Sequence, residues 1–303
     1  MSLPLIINAM TGGIDEALAF NRDISELAAR FNIGLAVGSQ TIALENKQLA
    51  SSFKIVRKVN PKGIILANVA ANAEPRLAFK AVEMIEANGL QLHLNVPQEL
   101  AMKEGDRKFR GLLDNIAEIV QLSPVPVIAK EVGFGISRET AQQLFAGGVR
   151  FFDVGGRGGT NFISIEQARS GLLADEFASW GIPTAASIAE LTSLYWPMVI
   201  VATGGIRSGL TAAKALALGA NLVGMAGQFL KTWTNRGMGA LDDEMQRFQY
   251  HLKSAMLMTG ARDLADLHRR PLVIGGPTAE WLTARGIDVA LWARRDTAIR
   301  QTI

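Results

Sequence analysis

Eight short apolar strings punctuate the chain, at Leu5–Met10, Leu35–Gly38, Ile64–Val69, Leu90–Asn95, Val127–Val132, Phe151–Val154, Met198–Ala202 and Leu222–Met225. Most are continuous rather than alternating, the pattern of strands covered on both faces in a parallel sheet. Amphipathic segments lie between them. Over Glu74–Asn88, for example, Ala78, Val82 and Ile85 fall on one helical face. Eight alternations of strand and helix predict an α/β fold, a (β/α)8 TIM barrel. A doubly wound open sheet competes with it, but its first turn should carry G-x-G-x-x-G, and Met10-Thr11-Gly12-Gly13 does not. The rhythm breaks over 161–182, which reads as a βα-loop insertion across the active face, carrying Glu166, Arg169, Asp175 and Glu176. Residues 239–303 read as a C-terminal helical extension, with helices over 239–260 and Thr278–Arg285. With no linker or low-complexity stretch, residues 1–303 are expected to form one barrel domain.

Composition narrows the function classes. Hydrophobic residues make up 49% and charged residues 19%, as in a soluble enzyme-like chain. The net charge is only +3 and no dense basic stripe occurs, which argues against nucleic acid as a partner. The chain has no cysteine, which excludes disulfides, thiolate metal sites and a cysteine nucleophile. No apolar run reaches the roughly 18 residues that span a bilayer. Met1-Ser2-Leu3-Pro4 lacks the charged start of a signal peptide, so a cytoplasmic location and no membrane partner are expected.

The chemistry is concentrated at the strand ends. The fourth string runs into Leu92-His93-Leu94-Asn95-Val96-Pro97-Gln98-Glu99, which places an imidazole, two carboxamides and a carboxylate within a few residues. Such groups can hydrogen-bond, move a proton and hold a hard divalent cation. A lone histidine on an apolar strand is ordinarily a core residue; the polar company of Asn95, Gln98 and Glu99 favours a site. Lys130 sits inside the fifth string, where a cation must either pair with an acid or face an anionic group in the barrel mouth. The sixth string ends in Asp153 to Asn161, with four glycines interrupted by Arg157, a loop that lets backbone approach a flat ligand. Gly204-Gly205 follows the seventh string and Gly224 to Gly227 closes the eighth. One Gly-Gly pair is simply a tight turn. Two, after strands seven and eight, point to a phosphate site of backbone N–H groups and helix N-termini.

These motifs together resemble the type 2, flavin-dependent isopentenyl-diphosphate isomerases. The resemblance covers essentially the whole chain. Its specific pieces are His93-Leu94-Asn95 with Gln98-Glu99, and Lys130-Glu131-Val132-Gly133-Phe134-Gly135. Also matching are Asn8 to Gly13, Val37 to Gln40, Ala67-Asn68, Asp153 to Phe162, Trp180 to Ser187, Thr203 to Gly205 and Met225 to Gly227, of which the Gly-Gly turns are not specific. The resemblance implies a (β/α)8 barrel that binds FMN, needs Mg2+ and a reduced flavin with NADPH as reductant, and interconverts isopentenyl and dimethylallyl diphosphate without net redox change. It implies that Thr11, Ser39, Asn68, Lys130 and Thr160 hold the flavin ring and ribityl chain, with Met10, Gly12 and Gly155 beside them. Backbone at Gly204, Gly205, Ala226 and Gly227 would hold the flavin phosphate. His93, Asn95 and Gln98 would face the substrate, with His93 and Gln98 in catalytic roles, and Glu99 would bind magnesium. A homo-oligomer, a tetramer or larger, is also implied.

The sequence departs from the family pattern in one respect. The family carries some tens of residues, including a basic pair and a histidine that reach the diphosphate or flavin, ahead of the first strand. Here that strand is expected from about Leu3. Each charge-assisted contact is worth roughly 1.5–3 kcal/mol, so the expectation is FMN binding with weakened diphosphate binding. Two other readings stand beside the isomerase: an FMN-dependent 2-hydroxy-acid oxidase or dehydrogenase, and a non-catalytic FMN-binding barrel. The first needs a base beside an arginine clamp, and His93-Leu94-Asn95 occupies the place where that base would be sought.

Overall fold

The computed structural model describes residues 1–170 and 175–295. Eight parallel strands close into a barrel in sequence order: β1 (Leu5–Ile7), β2 (Gly34–Ala36), β3 (Ile65–Ala70), β4 (Gly89–Leu94), β5 (Val127–Glu131), β6 (Phe151–Asp153), β7 (Val199–Ala202) and β8 (Leu222–Met225), with β8 pairing back onto β1. Each lies within or against one of the eight apolar strings, so the barrel is the architecture the pattern predicts.

The unbroken apolar strings reflect two coverings. Outward residues such as Leu5, Ile7, Leu35, Ile65, Ala67, Leu90, Leu92 and Phe152 belong to one large core packed beneath the helices. Inward residues Ile6, Ala36, Leu66, Ile128 and Val201, with Phe151 and Leu222 against them, fill the barrel itself as a separate apolar plug. Toward the strand ends the inward positions become polar. Asn8, Asn68, Gln91, Lys130 and Asp153 are all buried. The register aligns them: Asn68 is opposite Gln91, His93 opposite Lys130, and Lys130 opposite Asp153.

The helices depart from the sequence reading at their ends. The helix after β3 runs Pro75–Met84, starting on a proline that has no N–H to lose, and buries Ala78, Ala81 and Val82. Ile85 closes it and is buried, and Glu86 turns into the left-handed region (φ 48°). The helix expected over 239–260 instead belongs to Gly227–Met258, which starts directly at the end of β8 and is broken at Gly237 (φ 74°). The glycine break hid the earlier start from a periodicity reading. Gly276–Ala284 stands where Thr278–Arg285 was expected. Within 161–182 the chain forms a helix, Phe162–Ser170, and a short 3-10 turn, Asp175–Ser179. The part of that segment at 171–174, and the part of the C-terminal stretch at 296–303, lie outside the described residues.

Candidate active site

A cavity of about 770 Å³ opens at the strand ends. That is within the usual range for a cofactor site. Its floor is formed by Asn8, Asn68, His93 and Lys130, with Gln91 and Asp153 of the inward polar layer behind them, and Lys130 is the cation in it. Lys130 Nζ lies 3.1 Å from Asp153 Oδ2, with the lysine side chain one-tenth exposed and the aspartate fully buried. Both sequence readings of Lys130 therefore describe it: it is paired with an acid, and it lines the cavity. Asp153 also accepts from the Thr203 hydroxyl and, at 2.6 Å, from Asn8 Nδ2.

From Asn8 the hydrogen bonds continue around the floor. Gln91 Nε2 donates to Asn8 Oδ1 (3.0 Å), Asn68 Nδ2 donates to Gln91 Oε1 (3.1 Å), and His93 Nδ1 lies 2.7 Å from Asn68 Oδ1. Burial and then the neighbouring Lys130 charge hold His93 down at about 4, so its imidazole is neutral at pH 7. Gln40 braces the next strand over, accepting the Asn68 N–H (3.0 Å) and donating to Ala81 O (3.0 Å).

Glu131 is on the opposite face of β5 from Lys130 and shapes the wall. Its Oε2 accepts the N–H groups of Gly133, Phe134 and Gly135 and gathers that loop. Burial pushes the Glu131 carboxyl up to about 8, while those donors and Lys130 pull the other way. The same loop meets the glycine-rich one: Gly133 N–H and Gly135 N–H both reach Gly155 O, at 2.8 and 3.1 Å. Gly155 has φ 45°, and a Cβ there would stand 1.8 Å from Glu131 O, so only glycine lets the loops close.

On the far side, Gly204 (φ 101°), Gly205 (φ 85°), Ala226, Gly227 and the Thr160 side line the cavity. Gly227 begins the long helix, and a Cβ on it would meet nothing nearer than Thr160 Oγ1 at 3.8 Å. Bare backbone at a helix N-terminus beside open space is suited to phosphate. Arg207 and Lys231 stand at the same end. These features fit FMN: a phosphate cradle at one end, and a polar floor with a fixed cation at the other.

Of the residues singled out in the sequence, Met10, Ser39, Asn68, His93, Gln98, Lys130, Gly155, Thr160, Gly204, Gly205, Ala226 and Gly227 line this cavity. Thr11, Gly12, Asn95 and Glu99 do not. Gly12 packs by backbone on the Phe53 ring, and Thr11 O accepts from the Gly38 N–H and Asn21 Nδ2. Glu99 is held within its own loop, Oε1 by Asn95 Nδ2 (2.6 Å) and Oε2 by the Asp106 N–H (2.8 Å). Among the described residues no three His, Cys, Asp or Glu side chains gather as a metal cage. Glu99 suits only a cation that draws its remaining ligands from a substrate and water.

The sequence reading passed over Asn8, Gln91, Thr203 and Glu131 as site residues. Gln91 falls inside the apolar string Leu90–Asn95. Its signal was spacing: two residues before His93 on one strand, it must share His93's inward face.

A family model for FMN-dependent dehydrogenases matches residues 32–274. The isopentenyl-diphosphate delta-isomerase of Moorella thermoacetica is 54% identical over 285 residues, covering 94% of this chain and 82% of that protein. The chain belongs to the isopentenyl-diphosphate delta-isomerases of the FMN-dependent type. The isomerase of Symbiobacterium thermophilum is 49% identical over 298 residues, 97% of this chain and 82% of its own. A lactate oxidase of Pediococcus acidilactici shares the fold alone, at 14% identity with TM-score 0.67 over 90% of this chain and 76% of that one. A mandelate oxidase carrying an FMN adduct does likewise, at 15% identity with TM-score 0.64 over 90% of this chain and 80% of that one. The isomerase family reading is thus favoured over the hydroxy-acid oxidase considered from sequence. No helix of the described residues is long and apolar enough to cross a membrane.

Proposed function

We propose that this chain isomerises isopentenyl diphosphate to dimethylallyl diphosphate with reduced FMN and Mg2+, without net redox change. The observation that carries the proposal is the pairing, in one cavity, of a glycine phosphate cradle with a floor on which Lys130 and His93 are adjacent, in a chain about half identical to isomerases along its length. Moving an unactivated double bond requires a proton to be added to one carbon and another removed. No ordinary side chain is a strong enough acid, so the hard proton chemistry is what reduced FMN supplies when bound.

The protein's own groups bind, orient and tune. Lys130 would place positive charge beside the flavin's N1/C2 edge and favour the anionic reduced form. Asn68, Ser39, Thr160, Met10 and Gly155 would hold the ring and ribityl chain, with Thr11 and Gly12 supporting from behind. Backbone at Gly204, Gly205, Ala226 and Gly227 would hold the phosphate. Neutral His93 and Gln98 would face the reacting end of the substrate, and Gln98 would orient or relay there. Asn95 would hold Glu99 toward magnesium, which neutralises the diphosphate. NADPH as reductant, a homo-oligomer of four or more subunits and a cytoplasmic location complete the reading.

The test is turnover of two substrates side by side, the first without oxygen and the second under air. With FMN, Mg2+ and NADPH or dithionite, isopentenyl diphosphate should yield dimethylallyl diphosphate, and omission of FMN should abolish the product. With lactate or glycolate under air, no oxidation should follow. Oxidation of a hydroxy acid without isomerisation would overturn the reading.

A further inference from the structure

The hydrogen bonds across the cavity floor have a direction. Asn8 is fixed at both ends of its amide: Nδ2 donates to Asp153 Oδ2 (2.6 Å) and Oδ1 accepts the Ala9 N–H (2.8 Å). A carboxylate paired with a lysine only accepts, and a backbone N–H only donates, so this amide cannot be turned over. Asn8 Oδ1 therefore offers Gln91 an acceptor, and Gln91 must answer with Nε2 (3.0 Å). Gln91 Oε1 is then left to accept from Asn68 Nδ2 (3.1 Å). That turns Asn68 Oδ1 toward His93 Nδ1, 2.7 Å away. An amide oxygen only accepts, so the nitrogen facing it must carry the proton. A neutral imidazole has a single N–H, and Nε2 keeps its lone pair. His93 lines the cavity, and its recorded side-chain hydrogen bond is the one at Nδ1.

We propose that Gln91, which does not line the cavity, is a positioning residue that fixes His93 as the Nδ1–H tautomer. Nε2 then presents an acceptor to an N–H or O–H group of the bound cofactor or substrate. His93 on this account receives a hydrogen bond from the ligand and does not give one. The inference concerns the protein's own atoms and holds or fails independently of which reaction the site performs.

The experiment is nitrogen NMR of the 303-residue, FMN-loaded protein with 15N in its histidine rings and unlabelled FMN. The chain has three histidines, His93, His251 and His268. The other two are assigned from H251Q and H268Q. At pH 7 the wild-type His93 should show its N–H at Nδ1, with the two ring nitrogens well separated in shift. Gln91→Met removes the link while roughly keeping the volume. It frees Asn68 to turn, so the two His93 nitrogens should draw together toward an averaged pair. Gln91→Glu is the rescue: between Asn8 Oδ1 and Asn68 Nδ2 its carboxyl is held protonated, donates to the first and accepts from the second, and so should restore the wild-type pattern. A purely structural role would lower the melting temperature of both variants without moving the tautomer. An Nε2–H pattern in the wild type overturns the inference, as does an unchanged pattern in folded Q91M. If Q91M does not fold, the wild-type spectrum still tests the inference, because an Nε2–H pattern there overturns it, and Gln91→Leu takes the place of Q91M.

Discussion

Lys130 and His93 are adjacent across β4 and β5, and they constrain each other. Lys130 is paired with Asp153, and burial with the nearby Lys130 charge keeps His93 neutral. Asp153→Ala would leave a buried ammonium without its partner. It should destabilise the fold by about 3–5 kcal/mol, measured by urea unfolding. Asp153→Asn, which keeps an acceptor for Asn8 Nδ2, should lose less. His93 also gives the protein a pH dependence whose sign is fixed. Its folded value, about 4, is below the ordinary 6.5. As pH falls from about 6.5 toward 4 the unfolded imidazole takes up a proton that the folded one refuses, so stability drops across that window and levels off below it. Comparing H93Q with wild type at pH 7 and pH 5 isolates this from the opposite slope that Glu131, raised to about 8, contributes between about 4.5 and 8. The wild type should lose more stability than H93Q on acidification. Equal losses would show that His93 is not buried neutral.

Each strand carries two instructions in its sequence, and only one was easy to read. The apolar strings announced every strand, because outward residues pack under helices while the inner halves of Ile6, Leu66, Ile128 and Val201 pack on each other. The polar ends of the same strands were legible where a residue was chemically conspicuous, as with His93 and Lys130. They were not legible where an amide such as Gln91 or Asn8 is needed only because its neighbours across the barrel are polar too. That requirement comes from register between strands distant in sequence. Asn95 and Glu99 show the converse: conspicuous residues that the loop folds onto each other and away from the cavity lining.

The loops divide in the same way. At Gly204, φ is 101° and a Cβ would lie 2.0 Å from Gly156 O, so Gly204→Ala should cost more than about 1 kcal/mol and loosen both loops. Gly227 has open space, so Gly227→Ala should leave the melting temperature nearly unchanged. It should weaken FMN binding by roughly tenfold, about 1.4 kcal/mol, by placing a methyl beside Thr160. Flavin fluorescence quenching with a melting curve separates the two outcomes. Glu131→Ala would strand the Phe134 N–H and leave those of Gly133 and Gly135 with Gly155 O alone, and should lower stability by about 1–3 kcal/mol. Glu131→Gln, still an acceptor, should lose less.

At the scale of the whole molecule, the barrel separates stability from chemistry along its axis. An apolar plug fills the lower interior, and a continuous polar layer caps it beneath the cavity. A ligand on that layer meets one cation, one neutral imidazole and amides of fixed direction, while the opposite end meets bare backbone at a helix N-terminus. Such a site is suited to holding a charged flavin and shifting protons. Among the described residues that line the cavity, the arginine is Arg207, on the loop after β7, while the histidine, His93, is on β4. The central claim is therefore proton relocation with no net transfer of electrons. The most direct test is anaerobic turnover of isopentenyl diphosphate in heavy water, with one equivalent of prereduced FMN, Mg2+ and no further reductant. The account predicts many molecules of deuterium-bearing dimethylallyl diphosphate per flavin, with the flavin absorbance still that of the reduced form at the end. One product per flavin, accompanied by reoxidation, would contradict it.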